Sequence, residues 1–150
     1  MNPIKSLKPS RSSRYSQGYI DPSTCKKLIP GLKSEKIIYR SSYERKFLIW
    51  LETCPSVKLW GSECISIRYF SALDNKYHTY YPDYFVETVN GEKWVVEIKP
   101  HNQTIKPINE NAWGYREYIK NMCKWREAKK FCDANGYQFK IFTEKTIERL

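Results

Sequence analysis

The stretch that most constrains this chain is Asn90-Gly91, set between the apolar runs Tyr84-Phe85-Val86 and Trp94-Val95-Val96. An Asn-Gly pair in this setting is the strongest short-range hairpin signal, because both residues accept the positive φ that tight turns require. Side chains alternate along a strand, so Glu97 and Lys99 share one face while Trp94, Val96 and Ile98 share the other. Asp83 opens the partner strand. A two-residue loop at Asn90-Gly91 pairs Tyr84 with Glu97 and turns Asp83 to the opposite face. A three-residue loop through Glu92, with Gly91 left-handed, pairs Phe85 with Glu97 and Asp83 with Lys99. A slip of one residue exchanges every face. A working cluster needs the three-residue loop or a bulge near Pro82, and one of these is expected.

Asp83, Glu97 and Lys99 on one face suit phosphodiester hydrolysis. Two carboxylates hold a hard divalent cation, Mg2+ or Mn2+, through oxygen ligands. The cation polarises the scissile phosphate and lowers the pKa of the attacking water. Lys99 positions that water and offsets charge in the transition state. The plain alternative is a solvated Glu–Lys pair on a surface hairpin.

Composition agrees with a polyanionic partner. The formal net charge is +10, which favours nucleic acid first and an acidic protein surface second. Residues 1–40 hold nine Lys and Arg against Asp21 and Glu35, a surplus of seven. Residues 1–36 read as an extended basic arm, broken by Pro3, Pro9, Pro22 and Pro30, with a short helix from Asp21-Pro22 to Leu28. Lys5, Lys8, Arg11 and Arg14 could track a phosphate backbone or dock on an assembly, or simply be solvated. Residues 37–150 read as one domain. The five cysteines lack C-x-x-C spacing. With only His78 and His101 beside them, a zinc site is not expected, and buried free thiols in a reducing cytoplasm are. No apolar run approaches a membrane span and the N-terminus lacks a signal-peptide pattern.

The remaining elements follow from periodicity and punctuation. A helix is expected over 41–54, stopped by Pro55, with Tyr43, Phe47, Trp50, Leu51 and Cys54 on its buried stripe. Glu44 flanks that stripe, and Ser41-x-x-Glu44 fits a capping box; Arg45 and Glu52 fall on the far side. Strands are expected over 65–70 and 77–81 around a turn at Asp74-Asn75, with His78 a packing residue. Residues 100–107 form a polar loop in which His101 could touch phosphate. A long helix ends at Asn135 before Gly136, with Tyr118, Met122, Trp125, Ala128 and Cys132 buried and Lys124 and Arg126 able to face substrate. A strand over 137–142 and a short helix close the chain. The order, helix, three strands, long helix, strand and short helix, is that of a mixed α/β core.

Pro82-Asp83 … Glu97-Ile98-Lys99 resembles the PD-(D/E)xK nuclease signature, and the element order over residues 34–144 matches that restriction-endonuclease-like core. Within it, Ser42-Tyr43-Glu44, Tyr81-Pro82-Asp83-Tyr84, Glu97-Ile98-Lys99-Pro100, Lys124-Trp125 and Phe139-Lys140-Ile141-Phe142-Thr143-Glu144 resemble the N-terminal endonuclease domain of the TnsA type. The resemblance implies a third, metal-facing carboxylate at Glu44, a role preferred here over capping, since a Glu folded back on its cap does not reach a metal. A lone domain with a basic arm is further similar to the head completion nucleases of T-even-type tailed phages. That implies a nuclease acting on packaged double-stranded DNA in the host cytoplasm or virion, beside head, portal or neck proteins. The competing readings are a structural head or neck protein that keeps the fold without cutting, and a stand-alone restriction or mobile-element endonuclease.

Overall fold

The computed structural model describes residues 18–32, 36–109 and 113–150. Lys5, Lys8, Arg11 and Arg14 lie outside them. The elements are β1 (Gly18–Ile20), β2 (Ile37–Tyr39), α1 (Ser42–Thr53), β3 (Val57–Ser62), β4 (Ile67–Ser71), β5 (Lys76–Tyr80), β6 (Tyr84–Thr88), β7 (Lys93–Ile98), α2 (Trp113–Asn135), β8 (Gln138–Phe142) and α3 (Glu144–Ile147). The expected mixed α/β class is the class observed. Five strands rather than three stand between α1 and α2, because β3 was not anticipated and β5 and β6, which follow one another directly in sequence, are separate strands.

The central sheet runs β3-β6-β7-β8. The β3/β6 and β6/β7 pairs are antiparallel, while β7 and β8 are parallel and need α2 as their crossover. The β4–β5 hairpin and the β1–β2 pair form separate two-stranded ladders. Gly136, at φ +71°, ends α2, and the Tyr137 N–H returns to the Cys132 carbonyl at 2.8 Å, which closes the helix.

Two apolar layers flank the sheet. On one side α1 delivers Phe47, Leu48 and Leu51 onto Trp60, Tyr84, Val86, Val96 and Ile98. On the other, Trp125 and Ala128 of α2 pack with Ile67, Tyr69 and Tyr80 of the β4–β5 hairpin. Glu97 faces this second layer, since its carboxylate meets Tyr80.

The segment read as an arm contributes to the first layer: Ile20, Cys25 and Leu28 are buried in it. A 3-10 turn at Pro22–Thr24, capped by Asp21, replaces the expected helix. Leu28 bridges Trp60 along the outer side of β3 and so covers an otherwise open sheet edge. Glu52 anchors this segment. It is buried, and accepts the backbone N–H groups of Lys26 (2.6 Å) and Lys27 (3.0 Å) and the Trp60 indole N–H (2.8 Å). The far side of α1 is therefore a second packing face, not solvent. Of the five cysteines, only Cys25 and Cys132 are buried, and Cys64 is exposed. Among the described residues no helix is long and apolar enough to cross a membrane.

Candidate active site

The β6–β7 hairpin closes through Val89-Asn90-Gly91. The Thr88 N–H donates to the Glu92 carbonyl at 2.8 Å, and Gly91 sits at φ +84°. The loop has three residues and a left-handed Gly91, as expected, but it lies one residue earlier. Tyr84 consequently pairs with Val96 and Phe85 with Val95. Continuing that register, Asp83 opposes Glu97 rather than Lys99, and the two carboxylates share a face.

The cluster is built around this opposition. Asp83 Oδ2 accepts the Ile98 N–H at 2.8 Å, which locks it across the end of β7. Tyr80, ending β5, donates its hydroxyl to Glu97 Oε2 at 2.5 Å. Lys99 Nζ lies 3.8 Å from Glu97 Oε1. Burial, followed by the Glu97 charge, pushes the Asp83 carboxyl well above its usual range. Glu97 is also raised by burial, against the opposing effects of the Tyr80 hydrogen bond and the Lys99 and Lys124 charges. Two like charges held face to face, Glu97 buried and Asp83 half-buried, cost stability; a bound cation is what such an arrangement is suited to accept.

Glu44 stands at the margin. Its N–H donates to Ser41 Oγ at 3.1 Å and its own Oε2 accepts the Arg40 N–H at 2.8 Å. Ser41 thus caps α1, while the Glu44 carboxylate holds the residue before the cap and not the Ser41 N–H of a full capping box. Glu44 and Lys99 line the same cleft, with Arg40, Pro100 and Gln103, and the Glu44 charge adds to the rise at Asp83. Among the described residues no three His, Cys, Asp or Glu side chains are grouped to hold a metal ion. The acidic pair of the site is Asp83 and Glu97.

Lys124 of α2 reaches the cluster from the other side, with Nζ 5.3 Å from the Tyr80 ring centroid. Its pKa is lowered, first by burial and then by Lys120. Arg126 does not join it. Two residues on, it turns to a different hollow with Lys129 and Lys130. His101 begins a 3-10 turn, His101–Gln103, and its N–H donates to Glu144 Oε2 at 2.8 Å; it is absent from the walls of the Glu44–Lys99 cleft. His78, in the β4–β5 hairpin, bonds Asp74 at 2.7 Å and is exposed, not a buried packing residue.

Three participants were not anticipated. Tyr80 reads in sequence as one more β-strand aromatic. Arg40 pairs with Glu63 at 2.8 Å and lies near enough to Glu44 and Asp83 for their charges to raise its pKa further. Glu63 adopts φ +49°, rare for a residue with a side chain, and its N–H donates to the Asp83 carbonyl at 3.0 Å. No local pattern announces these contacts, since the partners lie 17 to 23 residues apart.

A family model described as TnsA-like endonuclease N terminal matches residues 54–144. The chain belongs to this endonuclease family. The match spans β3 to the start of α3 and holds Asp83, Glu97 and Lys99; Glu44 precedes it. The mixed sheet with α1 and α2 on opposite faces is the restriction-endonuclease-like core of this TnsA-like member. The family chain is also 30% identical over 126 residues to the head completion nuclease of Enterobacteria phage T4, covering 77% of this chain and 84% of that protein.

Proposed function

We propose that this protein is a magnesium-dependent nuclease that hydrolyses phosphodiester bonds of double-stranded DNA. The observation that carries this reading is Asp83, half-buried, set opposite the buried Glu97, with Lys99 beside Glu97. Family membership and the likeness to the T4 protein support it.

The donors fit the ion. Both are carboxylates, and Mg2+ is commonly held by one or two carboxylates, keeping waters and gaining phosphate oxygens. Such an ion supplies polarisation of the scissile phosphate and a more acidic water. Asp83 and Glu97 are the residues that would hold it, with Glu44 as a third ligand once it leaves the Arg40 N–H. Mn2+ suits the same donors. Tyr80 fixes the rotamer of Glu97, and Lys99 orients the attacking water and offsets charge developing on phosphate. The likeness to a head completion nuclease supports action on packaged DNA during head completion, among head, portal or neck proteins, in the host cytoplasm or virion.

The test is cleavage of linear and circular duplex DNA with magnesium, with EDTA, and with Asp83→Ala. Metal-dependent cutting that the variant loses is expected, and linearised circles would identify internal cleavage. DNA binding without cutting under either metal would replace this reading with that of a structural protein keeping the fold.

A further inference from the structure

A second feature adjoins the carboxylate pair and is not needed to explain it. Between the β4–β5 hairpin and the first half of α2 lies a groove of about 470 Å³. One wall carries Tyr69 and His78; the other carries Trp113, Arg116, Lys120 and Lys124. The last three are spaced four residues apart, so they form one row along a helix face, rising about 6 Å per step. Like charges at this spacing repel and weaken a helix. Among the described residues none of the three takes part in an ion pair. Against them stand Glu117 and Asp74, and Asp74 is already bonded to His78.

The row has a direction. Its inner end is Lys124, which sits over the Tyr80 ring while the Tyr80 hydroxyl bonds Glu97. Its outer end is Trp113, the first residue of α2, whose side chain is 74% exposed. An indole that open, at the mouth of a cationic groove, is a stacking platform for a base. The amino end of α2 adds its partial positive charge there. The groove has the volume of a small-ligand cleft: it can seat a nucleotide or two of one strand, not a duplex.

We infer that this groove binds a single nucleic-acid strand, with successive phosphates along Arg116, Lys120 and Lys124 and a base stacked on Trp113, and feeds or receives the strand at the carboxylate pair. The inference rests on the nuclease reading for its biological sense, but the binding it asserts is separable from cleavage. A nuclease acting on duplex DNA would thus hold an unpaired end or a displaced strand beside its site.

The experiment is fluorescence anisotropy in EDTA, across a salt series, with a labelled single-stranded oligonucleotide and the corresponding duplex. The full chain is compared with Arg116→Gln/Lys120→Gln, with Trp113→Ala, and with Lys129→Gln/Lys130→Gln, an equal charge change further along α2. Each lost phosphate contact to a single strand lowers the slope of log K against log salt by about 0.7, so the groove pair should lower it by about 1.4. Trp113→Ala should weaken single-strand binding about tenfold. The Lys129/Lys130 pair should change neither. Equal losses from the two double variants, an unaltered Trp113→Ala, or equal effects on duplex and single strand would each overturn the assignment. Because metal is withheld, a failure here leaves the Asp83→Ala cleavage test untouched, and the reverse also holds.

Discussion

Replacing Asp83 with Asn should stabilise the metal-free protein while removing its cleavage. Asp83 Oδ2 accepts the Ile98 N–H at 2.8 Å, and an amide oxygen can keep that bond. What Asn removes is the half-buried one of two facing charges. The Asp83 carboxyl is raised well above its usual range by burial and then by Glu97, and Glu97 is raised by burial in turn. A carboxyl with a higher pKa folded than unfolded makes the native state bind more protons. Its stabilising contribution is complete below the unfolded value of about 4 and is lost as pH rises through the raised value. At neutral pH the wild-type protein carries that loss and the variant does not. Relief of a destabilised active-site group returns about 0.5–2 kcal/mol. At roughly 2–4 °C per kcal/mol for a chain near this size, the melting temperature should rise by about 1–8 °C. Thermal unfolding in chelator from about pH 4 to about pH 8 checks this: the gain should appear near neutrality and fade toward the unfolded carboxyl pKa. Cleavage should fall at least ~100-fold, since loss of an outer-shell partner alone costs 10–100-fold. A lower melting temperature at neutral pH, or one constant shift across the range, would refute the argument. Asp83 and Glu97 would then be a stabilising pair and not a repulsion retained for function.

Lys99→Ala should lower the cleavage rate by about 10²–10³-fold with folding and DNA affinity largely kept; near-wild-type turnover in the folded variant would remove Lys99 from the chemistry. Tyr80→Phe deletes the hydroxyl on Glu97 Oε2. The metal concentration giving half-maximal cleavage should rise about 10–100-fold while the rate at saturating metal changes little, and an unshifted metal titration would contradict this. Glu52→Ala leaves three donors without their acceptor. It should cost about 3 kcal/mol in denaturant unfolding and leave turnover intact at permissive temperature, since Glu52 anchors the 18–32 segment far along the chain from the hairpin. A loss within ~0.5 kcal/mol, the ordinary range for surface substitutions, would mean that the anchor is unimportant.

How much was legible depended on whether the information was local. The α1 boundaries, the stop at Gly136 and the β6–β7 hairpin could be read directly, because caps, left-handed turns and alternation act over a few residues. β3 could not. A register shift between Val57 and Leu59 breaks the alternation that would have marked it. Hairpin parity was readable and register was not: moving the three-residue loop by one position preserves the shared face of Asp83 and Glu97 but exchanges the residue that Asp83 opposes. Glu44 shows the same limit. Its sequence permitted a cap or a ligand, and only its hydrogen bond to the Arg40 N–H distinguishes the conformation adopted.

The sequence by itself determined the chemistry available: two carboxylates and a lysine on one strand face, a cationic chain, and the order of elements that makes a mixed sheet. The tertiary structure decided what those groups meet. Tyr80 reaches Glu97 because the β4–β5 hairpin packs against α2, and Lys124 reaches Tyr80 for the same reason. The row from Arg116 to Lys124 becomes one wall of a groove when that hairpin supplies the other. Periodicity assigns a residue to a face of its own element; it carries no information about which distant element that face will touch, because that is settled by how apolar layers close over the whole chain.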